Sequence, residues 1–388
     1  RPTHVALRGE SKCGKSWLRQ RIISDPLTVQ CRLGRTVRDI YIDALSQLQV
    51  NLILEEGGSG KFVTKFEASG DVGVKLLVKI AGKFGIDLES SSSIRLKPTG
   101  KDLDDLKFIA EIIVESGRRL VVEDFHYLSI EERQKVAFDL KALWDYGLFV
   151  IVIGVWNENN MLLVLNPDLS GRIEEISVVW SIGDLSKILQ EGGDALRVSF
   201  SDRCKYLISE ISFGSPGVTQ RIALRVLDRI GVEETQKREL EMDDASIIEE
   251  AAAEYAAQLV PLYNSFAKRV SKGIRERKDS TGIYAHAMAV IMDAPDELLV
   301  KGFHVKEIFD ECARREPRII LSNLKAILCK FEELQADLDG RGLVLAYNNS
   351  TCHITVVDRQ LLLYRKYTPV SWPWEEIIEE AFQGELDI

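Results

Sequence analysis

What this chain lacks narrows its class before any motif is read. Its six cysteines, Cys13, Cys31, Cys204, Cys312, Cys329 and Cys352, include no CxxC pair. That argues against a disulfide frame or a zinc knuckle and predicts reduced thiols in a cytosolic protein without a structural metal. No apolar run approaches the roughly 18 residues of a membrane span, the best stretch, 148–156, being about half as long. Positive charge is not in excess either: 50 Lys and Arg face 60 Asp and Glu, a net charge of −10, so any DNA contact must come from a local basic patch. Apolar residues at 45% and charged residues at 28% exclude a disordered or collagen-like chain. A length of 388 residues allows two or three domains. The first residue is Arg1, not Met, and no signal-peptide pattern follows it, which predicts further residues upstream.

A β-like run at 4–7 leads through Gly9-Glu10-Ser11-Lys12-Cys13-Gly14-Lys15-Ser16 into a helical stretch, 17–23. A second strand (28–32) follows, then a helix in which Val37, Ile40, Tyr41, Ala44, Leu45 and Leu48 recur at helical spacing. Residues 56–100 turn Gly- and Ser-rich at their ends and read as an insertion. Within it Lys61, Lys65, Lys75, Lys79 and Lys83 interleave with Phe62, Phe66 and Phe84. They either touch nucleic acid or a partner, or stand in water on a hairpin or helix at the rim of a sheet. Helix (102–116), strand (119–122), helix (130–146) and strand (149–155) then alternate, which predicts an α/β fold with a parallel sheet covered on both faces and closed by a strand at 174–179.

The expected division is an α/β domain over 1–180, a helical lid over 181–230, a connector over 231–280 and a final domain over 281–388. The connector's acidic first half and basic second half read as a solvated helical surface. Helices at 282–292, 305–315 and 321–334 before two β runs, 343–347 and 353–357, follow the order of a winged helix. Its third helix offers Asn323, Lys325 and Lys330 to a groove but sets Glu332 and Glu333 against it, which favours a protein partner over DNA. Trp372-Pro373-Trp374 reads either as a clamp on the domain's own surface or as a dock.

The strongest chemical signal is the glycine-bounded loop between strand and helix. Such a loop points successive backbone N–H groups at phosphates, the helix N-terminus adds its dipole, Lys15 reaches the β- and γ-phosphates, and Ser16 offers a hydroxyl to Mg²⁺. Gly9, Glu10, Ser11, Lys12, Cys13, Gly14, Lys15 and Ser16 are therefore the candidate ATP-binding residues. The apolar strand before Glu123-Asp124 places two acids at the carboxyl edge of the sheet; Glu123 is assigned to Mg²⁺ and Asp124 to the attacking water. His126, just beyond, is either a satisfied loop histidine or a tether for Asp124.

At these motifs the chain resembles P-loop ATPases of the AAA+ and STAND group, near the bacterial branch of origin-recognition and transposition-associated ATPases, over residues 3–227 and more loosely beyond. The resemblance implies an ATPase domain with lid, connector and winged helix. Val122-Glu123-Asp124-Phe125 is similar to the Walker B segment with its acids in inverted order, which leaves a shorter acid at the catalytic position and implies slow hydrolysis. Asn157 or Asn159 resembles a sensor-one residue. Arg172, after Asn166-Pro167-Asp168-Leu169-Ser170-Gly171, resembles an arginine finger, against the simpler reading of a salt bridge to Glu174 or Glu175. Pro216 in Gly214-Ser215-Pro216 resembles the lid proline near adenine, and Arg221 a sensor-two arginine. The implied function is an ATP- and Mg²⁺-dependent switch in the cytoplasm, coupled to homo-oligomer assembly and a protein effector, in anti-phage defence or mobile-element control. A DNA-binding loader is the alternative, and a scaffold in which nucleotide is structural is a third.

Overall fold

The computed structural model describes residues 2–56, 62–68, 70–84, 88–90, 94–96, 105–156, 159–272, 282–335, 343–349, 351–369 and 371–386. They form two compact units, Arg1–Gly9 with Lys15–Val178, and Glu10–Gly14 with Val179–Ile388.

The first unit begins with β1 (His4–Gly9), α1 (Lys15–Ile22), β2 (Leu27–Gln30) and α2 (Val37–Gln47). Thr36 starts α2 through a capping box with Asp39, and the helix buries Val37, Ile40, Tyr41, Ala44 and Leu45, the stripe its spacing predicts. The segment read as an insertion holds β3 (Val50–Glu56), β4 (Phe62–Ala68), α3 (Asp71–Phe84), β5 (Leu88–Ser90) and β6 (Ile94–Leu96), with its strands antiparallel in the order β3-β4-β6-β5. Lys79 and Lys83 of α3 pair at the surface with Glu115 and Glu111 of α4 (Leu106–Glu115). Lys61 lies outside the described residues.

Then come β7 (Leu120–Glu123), α5 (Ile130–Asp145), β8 (Ile151–Gly154), α6 (Met161–Leu165) and β9 (Ile173–Val178). Strands β2-β7-β8-β1-β9 pair in parallel in that order, the sheet that the alternating elements predict. Consecutive side chains go to opposite faces. Ala6, Val122 and Val152 join the large cluster under α2, α4 and α5, while Leu7, Val121, Ile151 and Ile153 meet Leu18 and Ile23 on the other side. This is an α/β fold with a central parallel sheet.

A buried histidine ties the sheet's centre to a helix. His4 is fully buried; its Nδ1 accepts from Val150 N–H at 2.9 Å, which fixes the proton on Nε2 and lets that nitrogen donate to Leu140 O at 2.8 Å. Burial pushes its pKa down to about 4, because only the neutral ring satisfies both partners. His126, buried with Nδ1 facing Val155 N–H at 3.3 Å, is pushed down to about 3 by the same cause. Both values lie below that of an unfolded histidine. As pH falls from about 6.5 towards 4 the unfolded chain therefore takes up protons first, and each ring removes up to about 1.4 kcal/mol of stability per pH unit. His4→Gln is expected to remove the His4 share of this slope, measured as the urea midpoint against pH. An identical slope in the variant would refute the assignment.

The second unit contains α7 (Ile182–Leu196), β10 (Val198–Phe200), α8 (Asp202–Ile211), α9 (Pro216–Arg229), β11 (Leu240–Met242), α10 (Ala245–Gln258) and α11 (Val260–Lys272). It continues with α12 (Ile283–Asp293), α13 (Asp296–Lys301), β12 (Phe303–His304), α14 (Val305–Arg315), α15 (Leu321–Leu328), α16 (Phe331–Gln335), β13 (Leu345–Asn348), β14 (His353–Val356), α17 (Gln360–Tyr367) and α18 (Pro373–Leu386). A single hydrophobic cluster runs through it from Leu189 to Trp374.

Two expectations change here, and of two open readings one is favoured. The stretch expected as a solvated connector buries Ile248, Ala251, Ala252, Tyr255, Tyr263 and Phe266, so its charges occupy only the outer face of a core-forming helix pair. The third helix of the final domain is broken after Leu328 and resumes at Phe331. The tryptophans of Trp372-Pro373-Trp374 stack at 4.9 Å and are buried, which makes them a clamp on the unit's own core. β12, β14 and β13 form an antiparallel sheet in that order. Among the described residues, no helix is long and apolar enough to cross a membrane.

Candidate functional site

The loop after β1 takes its shape from two residues of positive φ, Lys12 at 61° and Gly14 at 94°. Gly14 meets no neighbour that a Cβ would strike, so its glycine answers the backbone angle and not crowding. Alternating handedness of this kind turns successive N–H groups towards one concavity. Cys13 is buried and its N–H reaches back to Glu10 O at 3.4 Å. Lys15 opens α1, is buried, and donates from Nζ to Gly9 O at 2.9 Å, closing the loop at its base. Ser16 is exposed on the first turn. A cradle of backbone donors at a helix start with a lysine at its base fits a polyphosphate chain.

At the carboxyl end of β7, Glu123 faces Arg19 of α1: Nε and Nη2 lie 3.1 and 3.0 Å from Oε1. Asp124 takes a left-handed backbone at φ 57° and accepts from Gln30 Nε2 at 2.8 Å, Gln30 standing beside Glu123 in the register of β2 and β7. Both acids are thus engaged by protein groups. The carboxylate assigned to Mg²⁺ thus already carries a guanidinium on Oε1. His126 is a satisfied loop histidine that bonds the end of β8, and it does not tether Asp124.

Asn157 lies outside the described residues; Asn159 accepts from Arg8, which also pairs with Glu175 at 3.0 Å. The Arg172 guanidinium lies 5.0 Å from the Trp144 ring centre and donates to Asp168 O at 2.8 Å; among the described residues it forms no ion pair with Glu174 or Glu175.

In the second unit the loop residues meet the segments before and after the lid turn. Trp180 Nε1 donates to Cys13 O at 2.9 Å. Gly214 has φ 79°, Pro216 is buried at the first position of α9 under the Ser215 cap, and a Cβ on Gly217 would lie 3.4 Å from Lys12. Arg221 is exposed on α9. The turn into α17 adds contacts that the sequence did not point to. Arg359 donates from Nη2 to Glu10 Oε1 at 2.5 Å and from Nη1 to Phe213 O at 2.9 Å, while Asp358 accepts from Tyr263 at 3.2 Å and Gln360 from Tyr255 at 2.5 Å. Arg19 carried one sequence signal, its place one helical turn after Lys15; Arg359 carried none.

Sheet order and strand direction define a parallel-sheet α/β fold with a glycine-bounded loop between β1 and α1. No protein-family model matches the chain, and no curated protein matches it. Among solved structures it is similar to Cdc6p from Pyrobaculum aerophilum, with 12% identity, TM-score 0.37, and coverage of 98% of this chain and 90% of that one. It is similar to Orc1 from Aeropyrum pernix, solved in complex with DNA, with 11% identity, TM-score 0.38, and coverage of 100% and 89%. A STAND protein with a tetratricopeptide-repeat sensor from Pyrococcus horikoshii aligns at 11% identity and TM-score 0.35, over 97% of this chain and 42% of that one. Likeness at scores this low carries no functional weight, and the chain's own residues must supply it.

Proposed function

We propose that the chain is an ATP-binding switch of AAA+ or STAND type, in which the first unit is the nucleotide domain and the second combines lid, helical connector and a winged-helix-like end. One observation carries the reading: residues 10–14 belong to the same compact unit as residues 179–388 and bond there to Trp180 and Arg359. A polyphosphate that reorders this loop acts on groups the C-terminal unit already holds. On this reading the nucleotide state governs self-association and a protein effector, in defence or mobile-element control, and hydrolysis is slow.

Hydrogen exchange tests the switch directly. ATP is expected to slow amide exchange at 10–16 and also at 206–218 and 357–364. Protection confined to 10–16 would leave nucleotide binding in place and refute coupling to the C-terminal unit.

A further inference from the structure

Lys15 and Arg19 stand four residues apart on α1, so their side chains leave one face of the helix a turn apart. Lys15 turns back to the foot of the loop, whereas Arg19 sets two nitrogens on one oxygen of Glu123. The side chains of Arg19 and Glu123 are only 11% and 13% exposed. A guanidinium is always protonated, planar and able to hold a carboxylate with paired donors, and separating such a pair away from water strands a charge. A hydrated cation approaching Glu123 therefore meets a carboxylate that is already neutralised. Asp124 accepts from the neutral amide of Gln30 through Oδ2.

We propose that Arg19 is the resident countercharge of this phosphate site: it takes the place at Glu123 that a divalent cation would fill, so a nucleoside di- or triphosphate binds without needing the metal. The inference rests on the P-loop reading of residues 9–16. Its physical content is cancellation of repulsion. An uncompensated carboxylate at the end of β7 would oppose an incoming polyphosphate; Arg19 removes that opposition from within the fold, and Lys15 adds attraction.

Calorimetric titration of the full chain with ATP and ADP, once in excess Mg²⁺ and once in EDTA, tests this. Wild-type Kd values are expected to agree within about fivefold between the two buffers. Arg19→Ala is expected to bind about tenfold or more weakly in EDTA and to recover in Mg²⁺, because the exposed carboxylate then has a cation to hold. Arg19→Ala combined with Glu123→Gln, which removes both charges, is expected to regain the wild-type EDTA affinity; a folding defect would not be cured by a second substitution. A wild type that weakens more than about fivefold in EDTA overturns the proposal and leaves the P-loop reading standing. An Arg19→Ala variant no more metal-dependent than the wild type also overturns it. Absence of binding in both buffers removes the P-loop reading, and the proposal with it.

Discussion

Lys15→Ala should weaken ATP and ADP binding about 100-fold or more, a loss of about 2.7 kcal/mol or greater, while leaving the fold intact. The ammonium is buried at the base of the loop and donates to Gly9 O. Losing that bond costs the apoprotein roughly 0.5–1.5 kcal/mol. For the bound state the loss is larger, because a fixed positive charge opposite several phosphate oxygens disappears from a partly desolvated position. Calorimetry with a parallel thermal melt separates the two terms. Unchanged nucleotide affinity in a folded Lys15→Ala protein would end the nucleotide-switch reading.

Arg359→Ala should destabilise the second unit by about 2–4 kcal/mol, a little under the 3–5 kcal/mol for breaking a fully buried ion pair. Its side chain is 11% exposed and that of Glu10 is 22%, so some solvent screening remains. The guanidinium also holds Phe213 O, in a residue whose φ of 49° strains the backbone just before the lid turn. Two constraints are thus lost with one side chain. The shift is read from the denaturant transition that exposes Trp372 and Trp374, and a double-mutant cycle with Glu10→Ala isolates the pair itself. A shift under about 0.5 kcal/mol, the range of an ordinary surface substitution, would show that the contact contributes nothing.

These two sites mark the boundary of what the sequence made legible. Lys15 belongs to eight consecutive residues whose chemistry is local, so strand, loop, glycine and lysine can be read in order. Glu123 and Asp124 were legible as acids at a strand end, but their partners were not. Gln30 reaches Asp124 only because β2 lies next to β7, and sheet order is not written in hydrophobic periodicity. The broken third helix shows the same limit in another form. Leu324, Leu328, Phe331 and Gln335 are all buried at helical spacing, so the pattern runs unbroken across a chain that pauses at Cys329 and Lys330. The misread connector followed from weighing its charges above the small apolar residues of α10, whose Ala251, Ala252 and Ala256 pack closely because they are small.

The bond between Glu10 and Arg359 also has a consequence in time. It joins positions 349 residues apart. At about 5–20 residues per second, a ribosome takes about 20–70 s to travel from one to the other. Every strand of the parallel sheet has been made once Val178 is added, yet residues 10–14 belong to a unit whose Arg359 is added 181 residues later. The nascent chain therefore carries the loop through the synthesis of those residues without this contact. A product that stops short of Arg359 never gains it.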